Sequence, residues 1–189
     1  MATKRERVTR ILNTTLFFLL VLAWTVFTPK IKNLFGKKPN VQNDILLTMS
    51  TEKYLRKRIA MQNVFTRYNS PFVEEVDSFL LACIKFDMDC YLLPSISGVE
   101  SGFGRAYWPG SYNPFGWGGG YIVFDSWSDA ILTVASKMKV NYIDRGLTNP
   151  DLIGPVYAPP STTWARNVRF FMGVFEREEE QVVLRVLRL

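Results

Sequence analysis

The sequence predicts a mainly α-helical domain with one irregular loop and room for one short β-hairpin. Long segments place apolar residues at helical spacing, and Tyr121–Phe124 has the composition of a short strand. Seven of the twelve glycines fall within residues 102–120, a density at which no regular helix forms. The chain has 189 residues, 48% of them hydrophobic, which is enough to bury the core of one domain.

The first forty residues differ from the rest of the chain in charge. They contain eight Lys or Arg residues and one acid, a net +7, so the remaining residues sum to −1 against the chain total of +6. Because this basic excess flanks an apolar segment, it predicts contact with an anionic membrane surface. It also argues against a nucleic-acid-binding domain.

Residues 11–28 are an uncharged run of 18 residues. As a helix the run would extend about 27 Å, close to the hydrocarbon thickness of a bilayer. We expect an uncleaved transmembrane signal anchor after a basic tail at residues 1–10, because no small-x-small cleavage site follows the run. Basic residues at both ends leave the orientation open, but a short tail before one span usually places the following domain on the extracytoplasmic side. Residues 29–50 are polar and contain Pro and Gly, and we assign them to a tether.

The folded domain is assigned to residues 51–178, and helical periodicity begins shortly before it. Ser70 and Pro71 have the order of an N-cap and a first helical residue, and predict a second helix. Pro94 would start a short helix that runs into Glu100. The side chains predicted to share the inner face of the second helix are Phe72, Val76, Phe79, Leu80 and Cys83.

Two more helices are predicted after the glycine-rich loop. Ser126 and Asp129 have the spacing of a capping box before the first of them, and Gly146 is a plausible stop. Residues 155–160 (PVYAPP) predict a rigid turn. The last helix is predicted over residues 161–180.

The C-terminal end of the chain is acidic and then apolar. The run Glu176–Glu180 (EREEE) is expected to be the solvated end of the last helix. Residues 179–189 are assigned to a C-terminal tail, which would dock on the domain or on a partner.

Cys83 and Cys90 are the two cysteines of the chain. On one straight helix, seven residues would separate them by about 10 Å, too far for a disulfide. A break between them would reopen that possibility. We expect two ordinary small apolar residues.

The chain has no histidine. This excludes Ser-His-Asp and Cys-His nucleophile systems and zinc sites built on imidazole. We therefore expect no metal or cofactor, and any chemistry must use carboxylates, tyrosines, lysines or the backbone.

Glu100 is the candidate catalytic residue, because it lies between an apolar run and a glycine-rich segment. The partial negative charge of a helix C-terminus and the apolar neighbours both disfavour an ionised carboxylate there. Both effects raise the pKa of Glu100, as a general acid for glycosidic bonds requires. The alternative is a solvated residue at a helix end. Six aromatic side chains that would stack on sugar rings follow it within the 15 residues 107–121: Tyr107, Trp108, Tyr112, Phe115, Trp117 and Tyr121.

Three sequence blocks resemble the lysozyme-like peptidoglycan hydrolases of the endo-β-N-acetylglucosaminidase type. They are Glu100–Gly104 (ESGFG), Asn113–Gly116 (NPFG) and Phe124–Trp127 (FDSW), in the order and spacing of that family. A later family tyrosine resembles Tyr157. The resemblance covers roughly Ser70 to Phe175. The Glu-Ser pair alone is weak, since lytic transglycosylases share it.

The resemblance implies a lysozyme-like α+β fold with Glu100 as general acid and peptidoglycan glycan strands as substrate. It implies Tyr157 as a second polar group near the cleaved bond. Asn113 would bind an acetamido group through its amide, and its alternative role is a turn residue before Pro114. The residues expected to contact substrate are Ser101, Phe103, Asn113, Phe115, Gly116, Trp117 and Tyr121.

The chain departs from the expected pattern in its second catalytic group. Asp125 and Asp129 are the available carboxylates after the Asn113 block, and both also fit a helix cap. Hydrolysis would then use the acetamido group of the substrate, or a water held by Asp125 or Tyr157. Two alternatives to a membrane-anchored hydrolase remain: a lytic transglycosylase of the same fold, and a non-catalytic glycan-binding module of an envelope assembly.

Overall fold

The computed structural model describes the backbone of residues 41–186 and the side chains of residues 51–185. The predicted basic tail, the span at residues 11–28 and residues 29–40 of the tether lie outside them. Within the described part, no helix is both long and apolar enough to cross a bilayer. The chain divides into two units, Met1–Thr48 and Met49–Leu189, and the fold below is that of the second unit as far as residue 186.

Six α-helices form the described part of the chain, so the prediction of a mainly α fold is confirmed. Three short 3-10 turns connect them, at Pro71–Glu75, Trp117–Gly120 and Ile143–Arg145. The helices are α1 (Val41–Arg67), α2 (Val76–Lys85), α3 (Leu92–Ser101), α4 (Trp127–Asn141), α5 (Pro150–Tyr157) and α6 (Trp164–Val186).

Rings of phenylalanine fill the centre of the domain. Phe65 of α1 lies with its centroid 5.5–5.8 Å from four other buried rings. Burying each such side chain contributes about 1.5–3 kcal/mol. Helix α3 packs on α6, and α2 packs on α4. The four rings around Phe65 are Phe72, Phe79, Phe103 and Phe175.

Both predicted serine caps are present. The Ser70 hydroxyl accepts a hydrogen bond from the Phe72 N–H at 3.0 Å and donates one to the Phe103 carbonyl at 2.8 Å. Ser126 accepts from the Asp129 N–H at 3.1 Å and starts α4. The predicted inner face of the second helix, from Phe72 to Cys83, is buried.

The prediction of a short strand at Tyr121–Phe124 is wrong, and no β-strand occurs within residues 41–186. Three consecutive glycines, Gly118–Gly120, have positive φ angles and turn the chain back on itself. The segment after them is tied to the loop by the Phe124 N–H, which donates to the Ser111 carbonyl at 2.8 Å. One such bond does not make a hairpin.

The expectation of two unpaired cysteines is also wrong, because it assumed an unbroken helix. Helix α2 ends at Lys85, and Asp87 adopts a left-handed conformation with φ 47°. The chain therefore reverses, and Cys83 and Cys90 form a disulfide with their Cα atoms 4.8 Å apart.

Helix α5 replaces the first half of the predicted rigid turn at residues 155–160. The Asn149 side chain accepts from the N–H groups of Asp151 and Leu152, and Pro150 occupies the first turn. The chain turns only from Ala158 onward. The two prolines and the glycine within α5 conceal this helix in the sequence.

Two glutamates of the acidic run form hydrogen bonds to side chains of the domain, so the expectation of a solvated helix end is wrong for them. Glu178 is 5% exposed and accepts from Asn63 at 3.0 Å and from Arg67. Glu179 accepts from Lys57 at 2.8 Å and from the Tyr91 hydroxyl at 2.7 Å. Lys57 and Arg67 belong to α1. Sequence spacing does not predict that α1 lies beside α6.

Two predicted boundaries fall inside continuous helices. Helix α1 already begins at Val41, so the last ten residues assigned to the tether are helical. Helix α6 continues to Val186, through most of the assigned C-terminal tail.

Candidate functional site

Glu100 is the second-last residue of α3, as the sequence predicts. The helix ends because Gly102 adopts a left-handed conformation with φ 58°. Most of α3 is buried, and this rigid support positions the half-buried Glu100 side chain at a pocket of about 440 Å³. The carboxyl group is thus both desolvated and accessible to a ligand.

The two oxygens of the Glu100 carboxyl group have different surroundings. Oε1 accepts a hydrogen bond from the indole Nε1 of Trp164 at 2.7 Å. Oε2 faces Gly116, where an added Cβ would lie 3.3 Å from it. Gly116 has φ 66°, a conformation that also disfavours a side chain.

Burial raises the pKa of Glu100 above its ordinary value. The hydrogen bond from Trp164 acts in the opposite direction, because it stabilises the ionised form, and it offsets only part of the rise. A carboxyl group with a raised pKa holds its proton closer to neutral pH, which suits a general acid.

The glycine-rich loop is held in shape by Asn113. Its amide Nδ2 donates to the carbonyls of Trp117 and Ile122 at 2.8 and 3.0 Å. Its Oδ1 accepts from the Trp117 N–H at 3.1 Å. Because this side chain is 4% exposed and occupied by three bonds, the structure gives it a role in the loop. The predicted contact between Asn113 and an acetamido group stays a prediction.

Tyr157 connects the loop to Trp164. Its hydroxyl donates to the Phe115 carbonyl at 2.8 Å and accepts from the indole Nε1 of Trp117 at 3.1 Å. Its ring stacks on Trp164 with centroids 4.9 Å apart. Burial, together with the nearby charge of Glu100, raises the pKa of Tyr157 far above its ordinary value. The phenol therefore stays protonated.

Five of the predicted site residues line the same pocket. They come from the end of α3, from the loop and from the end of α5, which are distant in sequence. The pocket thus combines one carboxyl group, aromatic rings and bare glycine backbone. The five residues are Glu100, Phe115, Gly116, Trp117 and Tyr157.

Four of the other predicted site residues lie elsewhere. Ser101 is buried and ties the end of α3, since its hydroxyl donates to the Ser97 carbonyl and accepts from the Gly104 N–H. Phe103 is fully buried in the core. Tyr121 is 81% exposed on the loop, and Asp125 is exposed before α4. None of the four lines the pocket.

Sequence reasoning missed three features of the pocket. Asn141 and Tyr142 line it from the end of α4. Trp164 donates a hydrogen bond to the Glu100 carboxyl group, which joins positions 64 residues apart. No local sequence signal marks these three positions, because their contacts depend on how the ends of α4 and α6 pack around Glu100.

Glu100 is the one carboxyl group among the described residues that line the pocket. In the same part of the chain, no group of three or more Cys, Asp or Glu side chains could hold a metal ion. The chemistry available in the pocket is therefore proton donation by Glu100, with aromatic and backbone contacts around it.

Comparison of the chain with protein families, with curated proteins and with solved structures finds no match. The resemblance to glucosaminidase-type hydrolases accordingly depends on the three motif blocks.

Proposed function

We propose that the domain is a glycosidase that cleaves the glycan strand of bacterial peptidoglycan, as an endo-β-N-acetylglucosaminidase, with Glu100 as general acid. The observation that supports this most is the half-buried Glu100 carboxyl group at the pocket, with a pKa raised by burial. The proton of Glu100 passes to the glycosidic oxygen as the bond between that oxygen and the sugar carbon breaks. Water then attacks the carbon and creates a reducing end, and its proton restores the acid.

The walls of the pocket support a sugar ligand. Trp117, Tyr142 and Tyr157 supply aromatic surface, on which the apolar faces of sugar rings stack. Gly116, Gly118 and Gly119 present backbone without side chains, so a ring can approach closely. Stacking area beside an acid is the combination that glycan cleavage requires.

Hydrolysis also needs a second group that activates water or stabilises the sugar carbon. Tyr157 is not available as a base, because its raised pKa keeps the phenol protonated and its hydroxyl already makes two hydrogen bonds. Asp125 does not line the pocket. The acetamido group of the substrate, or a water bound within the pocket, is therefore the better candidate for assisting hydrolysis.

The presence of one carboxyl group among the described pocket residues also favours a second candidate, a lytic transglycosylase. In that reaction Glu100 protonates the leaving oxygen in the same way. A hydroxyl of the substrate, in place of water, then attacks the sugar carbon and returns a proton to Glu100. The product is an anhydro-sugar end, lighter than the hydrolysis product by one water.

We further propose that residues 11–28 anchor the protein in the cytoplasmic membrane with the domain outside, where peptidoglycan lies. The disulfide between Cys83 and Cys90 supports this location, because such bonds persist in oxidising compartments outside the cytoplasm. Protease added to spheroplasts should degrade the domain. Full protection would contradict the orientation, and release of the protein by salt alone would contradict the anchor.

The test of the function compares Glu100→Gln with Glu74→Gln in the full chain purified in detergent. Glu74 is exposed on the 3-10 turn before α2 and serves as the matched control. The glutamine at position 100 keeps the shape but cannot donate an acid proton, so solubilisation of peptidoglycan should fall by about 10²–10⁴-fold. Glu74→Gln should retain full activity. Wild-type activity of Glu100→Gln would refute the proposed role.

A further inference from the structure

The indole of Trp164 meets Glu100 in a fixed geometry. Its Nε1 lies 2.7 Å from Oε1, and the side chain is 3% exposed. Tyr157 stacks on one part of the ring. On α5, Gly154 leaves room for it, since a Cβ there would lie 3.3 Å from the ring. The ring therefore has little freedom to move away from the carboxyl group.

An indole N–H is a donor and never an acceptor. In a protonated carboxyl group the carbonyl-type oxygen is the better acceptor, so when Glu100 is protonated the oxygen that receives the N–H is the carbonyl-type one. The acid proton is left for the other oxygen, Oε2, which faces the bare backbone of Gly116 at the pocket. One hydrogen bond thus selects which oxygen can donate a proton to a ligand.

We infer that Trp164 is the positioning residue of the acid: its indole N–H fixes the Glu100 carboxyl group so that Oε2 is the proton-donating oxygen. This inference rests on the proposed role of Glu100 as general acid. Trp164 itself touches neither proton nor substrate in this role. It orients the carboxyl group and keeps the proton on the pocket side.

The remaining ionisable groups of the pocket do not compete for this proton. Besides Glu100, the ionisable side chains among the described residues that line the pocket are the phenols of Tyr142 and Tyr157. Burial raises the pKa of both phenols, so both are neutral near pH 7. A change in the titration of Glu100 on altering Trp164 would thus report the lost hydrogen bond.

Trp164→Phe tests the inference, because phenylalanine keeps an aromatic ring and removes the N–H. Since that N–H stabilises the ionised carboxylate, its loss should raise the pKa of Glu100. The alkaline limb of kcat/KM, which reports the free enzyme, should move to higher pH. Loss of orientation should lower kcat by about 10- to 100-fold, with a smaller change in KM.

A second variant separates the hydrogen bond from packing. Replacing Trp164 by 3-benzothienylalanine keeps a bicyclic ring and exchanges the N–H for sulfur, and it should give the same pH shift. Trp127→Phe is the control, because Trp127 packs edge-on against Phe72 and its loss should leave the pH profile in place. If both Trp164 variants keep the wild-type profile and kcat, Trp164 only fills space and the inference fails.

Direct titration of the Glu100 carboxyl carbon by NMR, in labelled protein without substrate, separates this inference from the proposed function. A raised pKa in the Trp164 variants supports the hydrogen-bond role even when glycan cleavage is absent. An unchanged pKa refutes that role even when Glu100→Gln abolishes cleavage. Active Glu100→Gln would refute the proposed function and, with it, the positioning of an acid.

Discussion

Replacing Asn113 by alanine removes the three hydrogen bonds that shape the glycine-rich loop. The lost bonds join its amide to Trp117 and Ile122. Each bond contributes a net of about 1 kcal/mol, so the free energy of unfolding should fall by about 3 kcal/mol. For a domain of this size the fall corresponds to a decrease in Tm of about 6–12 °C. This decrease in Tm is larger than the sequence suggests, because an amide that only binds substrate would contribute little to stability.

The assay measures Tm and turnover per folded molecule on the same sample. Asn113→Asp is the matched control, because it keeps an acceptor for the Trp117 N–H and loses both donated bonds. It should be destabilised too, since its carboxylate would face two carbonyl oxygens. Activity should fall in both variants, because the loop carries Gly116 and Trp117 into the pocket. A Tm within about 1 °C of wild type, together with lost turnover, would refute the loop role and favour direct contact with substrate.

The remaining predictions concern stability. Glu100→Gln should raise Tm at neutral pH, because burial penalises the ionised form of the wild-type carboxyl group. The wild-type protein loses stability as pH rises from the unfolded pKa of about 4.3 through the raised folded pKa of Glu100. The increase in Tm of the variant should therefore vanish in thermal unfolding experiments below about pH 4. Ser70→Ala removes the bonds to Phe72 and Phe103 and should cost about 1–3 kcal/mol in urea unfolding, whereas Ser70→Thr should cost less. Burial opposes ionisation of Glu178, but the hydrogen bonds from Arg67 and Asn63 outweigh it and lower the pKa of this carboxyl group. The stabilisation by Glu178 is present above about pH 4.3 and is lost as pH falls through the folded pKa. Glu178→Gln should therefore make the free energy of unfolding less dependent on pH in the acid range. A Glu178→Gln curve parallel to wild type would contradict that role.

The helices were predictable from the sequence because their signals are local. Apolar spacing and the serines at positions 70 and 126 locate two helix starts, and the glycine-rich segment that follows Glu100 places it at a helix end. The disulfide was not predictable, because it depends on one left-handed residue, Asp87, that reverses the chain. The buried position of Glu178 depends on two hydrogen-bond donors of α1, the guanidinium of Arg67 and the amide of Asn63, which are 111 and 115 residues away.

The candidate site was predictable in its motif residues and not in its supporting contacts. Glu100, Phe115 and Gly116 lie in two recognisable blocks and do line one pocket. The bond from Trp164 to Glu100 depends on how α6 packs against α3, which no local pattern specifies. The same limit applies to Asn113. Its amide can bind a ligand or stabilise a loop, and the two roles are distinguished only by its hydrogen-bond partners in the folded structure.

Digestion of purified peptidoglycan in heavy-oxygen water, followed by mass spectrometry of the new glycan ends, tests the central claim most directly. The account predicts that the wild-type protein produces N-acetylglucosamine reducing ends carrying the heavy oxygen, and that Glu100→Gln produces none. Anhydro ends without label would identify the transglycosylase while keeping Glu100 as the acid. New ends in equal amount from wild type and Glu100→Gln, or none from the wild-type protein, would contradict the account.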